Sequence, residues 1–404
     1  MAADKQSSGS YVRQLRHRGN IMKHLYFLPL LAFSAPALAQ DREGGSGQTI
    51  IVTGTSLAQS EKNLRDCIAR KCPPEEDIAA TLAHVENQFI AGDYAAARRT
   101  NKASLQRNSR YADRLPVQVS YLYRAGSRIA VHLGEGQDYE QSTWGIKRAL
   151  KRGLPRTDPQ LVGADLEIAN MQASLGRTVV ARDTYEKAAK DAERINRPDL
   201  AAMARLRLAW LEQMEGDIGL TRRKLRAIAE DRRPETNVAR LSALILLARL
   251  DRQEGKTNSA AAVIEELRGA RLPKPVLVYS PPVETPGRLI DEGEQGSTTR
   301  LMAMENFDDR WVDVGFWVTP DGRVSEAEIL RSSGGTGWAR PLLKSIAGRI
   351  YAPAVGSMDG TYRVERYTFT SLWTDQTGSR LRARSPNARI EFLDLTDDAQ
   401  SRAN

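Results

Sequence analysis

With the amino-terminal 39 residues set aside, the side chains able to carry chemistry are few. His84 and His132 are the only histidines, and neither has a cysteine or second histidine close by, so acid–base work by imidazole or a zinc site lacks material. His84 sits beside Leu82 and Val85 and reads as a packed residue on a helix face. Ser332 and Ser333 lack the strand–elbow–helix setting of a G-x-S-x-G nucleophile. Gly134-Glu135-Gly136 reads as a turn between helices rather than a phosphate-gripping loop, and Asp308 and Asp309 read as a solvated loop. Cys67 and Cys72 form a C-x4-C pair, close enough to bridge at a helix end. In an exported chain they are expected to be a disulfide that staples the first turn of the helical region locally, free buried thiols being the alternative. The expectation is a protein that is not an enzyme, with no metal site and no cofactor.

The address supports the oxidised pair. Met22-Lys23-His24, the apolar stretch from Leu25 to Phe33 and the small-residue site Ala37-Leu38-Ala39 are the three parts of a secretory signal, with cleavage expected between Ala39 and Gln40. The apolar run is short for a bilayer span and holds Pro29, with Pro36 just beyond it, so a retained anchor is the lesser alternative. Residues 1–21 read as an extension upstream of a start at Met22. The full 404 residues carry 59 basic and 50 acidic side chains, net +9. Cleavage removes five basic residues against Asp4 and leaves +5, which weakens the case for a nucleic-acid partner. Periplasm is the expected location, with an inner-membrane protein facing the periplasm as the alternative.

A chain this long allows two or three compact units at roughly 100–200 residues each. Hydrophobic residues at 41% and charged residues at 27% allow a buried core and argue against wholesale disorder. Pro74, Pro116, Pro159, Pro198 and Pro234 alternate with Gly92, Gly136, Gly176, Gly216 and Gly255. Proline suits the first helical position and glycine the left-handed residue after the last, so each interval predicts one helix. A second helix is predicted after each glycine: Tyr94 to Leu105, Tyr139 to Lys151, Val179 to Ile195, Thr221 to Asp231 and Asn258 to Ala270. Leu161, Ala164, Ile168, Met171 and Leu175 form one apolar stripe, and Ala181, Tyr185, Ala188 and Ala192 the stripe facing it. Arg98, Arg99, Arg205, Arg207, Arg222 and Arg223 read as solvated faces. These paired helices resemble tetratricopeptide repeats, with a longer period and an incomplete aromatic signature; the resemblance implies a curved solenoid whose inner face holds peptide or serves as a structural stack.

After Ala270 the pattern changes. Pro273, Pro275, Pro281, Pro282 and Pro286 predict an extended surface connector. Val312, Val314, Phe316 and Val318 alternate with polar or small residues as a half-buried strand, Pro320-Asp321-Gly322 turns the chain, and Val324 to Leu330 returns. Ala339 to Ile350 predicts a helix burying Leu342, Ile346 and Ile350, and Tyr362 to Leu372 a last strand. The expected fold class is α+β multidomain, an α-solenoid of about five helical hairpins followed by a small ββαβ domain. Its divisions are 1–39 (extension and signal), 40–59 (flexible segment), 60–270 (helical repeats), 271–304 (connector), 305–375 (terminal domain) and 376–404 (tail), where Ala388 to Leu395 could add a strand.

The alternating strand, Pro-Asp-Gly turn, Ser333-Gly334 and Tyr351-Ala352-Pro353-Ala354 resemble, in order, the TonB carboxy-terminal domain over residues 305–375. That resemblance implies a periplasmic module gripping an extended peptide of an envelope protein by β-augmentation. By the same analogy the free edge would be Tyr362, Arg363, Val364, Glu365, Arg366 and Tyr367. Ile50, Ile51, Val52, Thr53 and Gly54 lie in a β-prone run that resembles a TonB box, and this run could pair with that edge, be offered to a transducer, or be a disordered tail. The implied function is interaction with an envelope protein or box-like peptide in connection with TonB-dependent transport. The alternatives are a structural scaffold without box binding, or an anchored energy transducer if the apolar segment is retained.

Overall fold

The computed structural model describes residues 55–256, 259–270, 272–283, 310–354, 359–375 and 382–396. The stretch expected to be a signal, the cleavage expected between Ala39 and Gln40 and the run at Ile50–Gly54 expected to be box-like lie outside the described residues.

Among the described residues, eleven α-helices come first: α1 Leu57–Ala69, α2 Pro74–Ala91, α3 Tyr94–Asn108, α4 Pro116–Leu133, α5 Gly136–Gly153, α6 Pro159–Ser174, α7 Thr178–Arg194, α8 Pro198–Glu215, α9 Ile218–Ala229, α10 Asn237–Gln253 and α11 Ser259–Gly269. From α2 onward they form five antiparallel hairpins. Proline opens α2, α4, α6 and α8, where no intrahelical N–H is lost. Pro234 instead opens a short 3-10 turn before α10. Left-handed glycines close the first helix of each pair, with φ of 85° at Gly92, 70° at Gly134, 77° at Gly176, 89° at Gly216 and 83° at Gly255. The second of these corrects the sequence reading: α4 stops at Gly134, and Gly136 begins α5. Gly136 lies two residues too far on, because the turn needs a single left-handed residue and Gly134 takes it.

Alanines let the helices approach. Ala97 and Ala181 are fully buried, and Ala181, Ala188, Ala192, Ala201 and Ala204 join Tyr185 and Leu211 in one cluster. Arginines read as solvated faces tie neighbouring repeats together: Arg98 bonds Asp138 at 2.8 Å, and Arg222 pairs with Asp251 and Glu254. Cys67 and Cys72 are joined by a disulfide between the end of α1 and the start of α2, with Cα atoms 5.1 Å apart.

Beyond them the described residues add β1 Val276–Tyr279, β2 Arg310–Val318, β3 Val324–Ser332, α12 Arg340–Ala347, β4 Ile350–Ala352, β5 Thr361–Asp375 and β6 Arg382–Asp394. The four-stranded antiparallel sheet runs β3-β2-β5-β6, while β1 pairs with β4. Val312, Val314, Phe316 and Val318 point to one face, where Trp338, Leu342 and Ile346 cover them. The connector is not confined to the surface: Val278 is buried on β1.

One expectation fails in part. Tyr362–Tyr367 is not a free edge along its length: Val312 to Trp317 of β2 lie opposite all of it, Glu365, Arg366 and Tyr367 are also paired with Asp394, Leu393 and Phe392 of β6, and the Leu395 N–H donates to the Val364 carbonyl. The physical reason is the strand in residues 376–404. Ile390 inserts into the apolar face beside Tyr367 and Phe369, and burying it anchors β6 along β5. Among the described residues, the outer strands of the four-stranded sheet are β3 and β6.

Candidate functional site

Of the six residues expected along an edge, Glu365, Arg366 and Tyr367 lie between β2 and β6, while Tyr362 and Arg363 run past the last β6 pair. Tyr362 is half-buried, its ring 5.2 Å from that of Trp317. Val364 packs against Ile90 and Leu395. Arg363 donates to Glu365 at 3.2 Å and to Asp394 at 2.8 Å. Glu365 also accepts from Arg349 at 2.7 Å and from the Tyr367 hydroxyl. Arg349 donates to the Tyr367 oxygen at 2.7 Å. Burial pushes the Tyr367 phenol well above its usual range and opposes the charge on Arg349, but the neighbouring tyrosines and Glu365 outweigh that and hold the guanidinium charged. Buried ions so arranged specify packing more than they add net stability.

Arg366 faces the helices. Its Nε and Nη2 form a fork on Asp313 at 2.6 and 2.9 Å, and Nη1 reaches the Phe89 carbonyl at 2.9 Å. The guanidinium lies 3.9 Å from the Trp311 ring centroid, and the Trp311 ring lies against Gly92. Arg389 donates to the Val131 carbonyl at 3.1 Å, and Arg384 to those of Leu133 at 3.0 Å and Ser371 at 2.7 Å. The Trp373 amide donates to the Gly134 carbonyl at 2.8 Å. Three arginines of β5 and β6 thus sit on the carbonyl ends of α2 and α4, where the helix dipole favours cations. At the far end Arg249 of α10 donates to the Val278 and Leu277 carbonyls of β1 at 2.8 and 2.9 Å, and burial, then the charge of Arg349, pulls its guanidinium down to about 10. The terminal β structure is therefore held by both the first and the last hairpins.

The histidines serve this packing. His132 Nδ1 lies 2.8 Å from the Thr368 hydroxyl, which also meets the Tyr94 hydroxyl at 2.9 Å. Burial, then the charges of Arg128, Arg366 and Arg389, pulls His132 down to about 3, so its ring is neutral at pH 7 and packs edge-on to Phe89. His84 is buried, 3.1 Å from Ser60 Oγ, and burial lowers its pKa. Cys67, Cys72 and Glu76 lie close enough to share a metal ion, but both sulfurs are committed to the disulfide.

A groove of about 400 Å³ between α8 and α9 is lined by the apolar Ala202, Leu208 and Ile228 and by Arg205 and Lys224. Both cations are paired, with Glu193 and Glu212. No helix among the described residues is long and apolar enough to cross a membrane.

Sequence reasoning missed the arginine contacts to helix ends. Their signal was Arg363 and Arg366 inside an otherwise strand-like apolar run, since charges in a buried strand require partners.

No family model matches the chain, and no curated protein matches it. Among solved structures, BtubC (BKLC) from P. vanneervenii is similar at 14% identity and TM-score 0.42, over 54% of this chain and 89% of that one. The Rap conjugation gene regulator of the plasmid pLS20, in complex with the Phr* peptide, is similar at 12% identity and TM-score 0.37, over 57% of this chain and 60% of that one.

Proposed function

We propose that this chain is a periplasmic, non-enzymatic protein-interaction protein, a tetratricopeptide-like helical array carrying a TonB-like terminal sheet, with an envelope protein or an extended peptide as partner. The observation that carries the reading is that, among the described residues, no strand pairs with the outer side of β6. Exposed ladder groups bind extended segments by main-chain pairing. The other open edge, β3, is blunted by two register shifts against β2 and by Glu326 at φ 54°. In β6 the pairing to β5 is regular from Ala388 to Asp394, so its outer edge offers the straighter template. Box binding along Tyr362–Tyr367 is not part of this reading. A link to TonB-dependent transport rests on the sequence resemblance alone.

The test is photocross-linking in cells from a photoreactive side chain at Arg382 or Asp394, the exposed ends of β6. A discrete adduct with an envelope protein is expected, and its absence overturns the reading. Mass spectrometry of the exported chain checks the location: an amino terminus at Gln40 is expected, whereas a retained apolar segment would make the protein membrane-anchored. A second reading, a structural scaffold without edge binding, is favoured by the pairing of β5 on both sides. It predicts no adduct from either end of β6.

A further inference from the structure

The helix-facing side of the sheet extends past the helix it is docked on. Asp313, Gly315 and Trp317 alternate onto that side of β2, opposite Arg366, Val364 and Tyr362 of β5. Arg366 and Asp313 meet at the end of α2, where Arg366 takes the Phe89 carbonyl, and one step on Val364 packs against Ile90 and Leu395. At the next step Trp317 is 37% exposed and Tyr362 half-buried, their ring centroids 5.2 Å apart. Leu330 of β3, 42% exposed, comes in beside them: a Cβ on Gly315 would lie 2.1 Å from the Tyr362 oxygen and 2.9 Å from Leu330 Cδ1. The three side chains make one apolar surface over that glycine. β5 has by then run past its last β6 pair, and the Leu395 N–H reaches no further than the Val364 carbonyl.

The chain that precedes α1 leads toward this surface. α1 and α2 are antiparallel, and their contacts climb α2 as the residue number falls: Ser60 Oγ lies 3.1 Å from His84 Nδ1, and Asn87 Nδ2 donates to the Thr55 carbonyl at 3.0 Å. Nearly one further turn along α2 is Ile90, the residue already against Val364. Thr55 is thus tied down beside the sheet's overhang. Immediately before it come Ile50, Ile51, Val52, Thr53 and Gly54, of which the first four are β-branched and favour extended backbone. Five extended residues reach about 17 Å, against about 5 Å for the helix rise from Asn87 to Ile90 and about 7 Å along β5 from Val364 to Tyr362. Residues 397–404 also leave from here, since the Thr396 hydroxyl accepts from the Val364 N–H at 3.3 Å, but they open with Asp397-Asp398 and hold no large apolar side chain.

We propose that the run Ile50–Val52 lies across Trp317, Leu330 and Tyr362 of its own chain, with Ile50 and Val52, which share one face of an extended segment, against them. The pin at Thr55 holds the run at about millimolar effective concentration, so little intrinsic affinity is required. Seating takes the exposed faces of Trp317 and Leu330 and two aliphatic side chains out of water together. The terminal sheet then carries a surface occupied in cis, which a partner's apolar segment reaches only by displacing that run. This contact needs neither the outer side of β6 nor export of the chain, so it stands or falls apart from the proposed function.

The test places a photoreactive benzophenone side chain at Leu330 of the full chain, and in a second chain at Ser325, which lies opposite Trp317. Both positions lie outside the apolar core of the sheet. After irradiation and trypsin digestion, mass spectrometry is expected to find an adduct on the peptide Glu43–Lys62. In a mixture of isotope-labelled and unlabelled protein, the adduct should join like to like. Its yield should fall about tenfold in the Ile50→Asp/Val52→Asp chain, because carboxylates do not seat on an apolar surface. The same probe at Arg268 of α11 should give no adduct on that peptide. No adduct on Glu43–Lys62 from either sheet position, a yield undiminished in the variant, mixed-label adducts only, an equal adduct from Arg268, or an adduct on residues 397–404 in its place would each overturn the assignment.

Discussion

Arg366 and Asp313 meet as a two-pronged pair with neither side chain exposed, and the third prong of the guanidinium ends on the Phe89 carbonyl of α2. One side chain therefore joins a strand-to-strand contact to a strand-to-helix contact. Arg331 also reaches Asp313 at 2.9 Å, but from a position about half exposed. Arg366→Met leaves a buried carboxylate short of its main partner and a helix-end carbonyl without its cation. The expected loss is about 3–5 kcal/mol in urea unfolding. Arg366→Met combined with Asp313→Leu removes both charges and is expected to recover more than half of it. A double variant no more stable than the single one would show that the pair does not act as a unit.

His132 makes the same interface sensitive to acid. Its folded pKa of about 3 lies below the ordinary histidine value of about 6.5, so the unfolded chain binds the extra proton. The contribution is intact above pH 6.5 and is lost as pH falls from about 6.5 toward 3. The groups facing the ring are Phe89, Tyr94, Arg128, Arg366, Thr368 and Arg389, and none supplies a carboxylate to offset the new charge. Between pH 7 and pH 5 the expected loss from this residue is roughly 2 kcal/mol. His132→Gln keeps a polar group toward Thr368 and cannot take up a proton. Its unfolding free energy is expected to fall less over that interval than that of the unaltered chain, and parallel pH profiles would contradict the assignment.

Much of the helical array was legible because its punctuation is chemical. Proline where no helical N–H is needed and glycine where φ must be positive mark both ends of a helix without any tertiary information, as at Pro159 and Gly176. The strands β2 and β3 were legible from alternation. The edge was not, since whether β5 stays open depends on a strand beyond it. The β6 sequence mixes Arg384, Pro386, Asn387, Arg389 and Glu391 with only Ile390, Phe392 and Leu393 as large apolar residues. Arginine in that strand reads as solvated polarity in sequence, and only the carbonyl ends of α4 turn it into a docking residue.

Gly134 and Gly176 separate the cost of a turn from the cost of a contact. Both are left-handed, at φ 70° and 77°. A Cβ at Gly134 would lie 2.0 Å from the Ser371 carbonyl oxygen, whereas one at Gly176 meets nothing within 4 Å. Gly176→Ala is expected to cost only the backbone strain, about 1 kcal/mol. Gly134→Ala adds displacement of β5 and of Arg384, and is expected to cost at least ~3 kcal/mol, with amide exchange accelerated in Ser371–Trp373. Equal losses from the two substitutions in thermal unfolding would mean that the sheet does not bear on the second turn.

Removing residues 382–404 tests what β6 does for the rest of the sheet. The truncation deletes the Arg384 and Arg389 contacts to α4, uncovers Tyr367 and Phe369, and leaves β5 without its β6 pairs from Glu365 to Asp375. Arg366, Thr368 and Arg249 remain, so the sheet is expected to stay docked on α2 and α10. Native-state hydrogen exchange is expected to speed up at β5 amides that faced β6 while those facing β2 keep their protection. An uncovered apolar edge also pairs with copies of itself, so concentration-dependent self-association is expected in the truncated chain. A truncated protein that stays monomeric with unchanged β5 protection would show that β6 adds nothing to this edge, and the sealing of β5 would then lose its role in the fold.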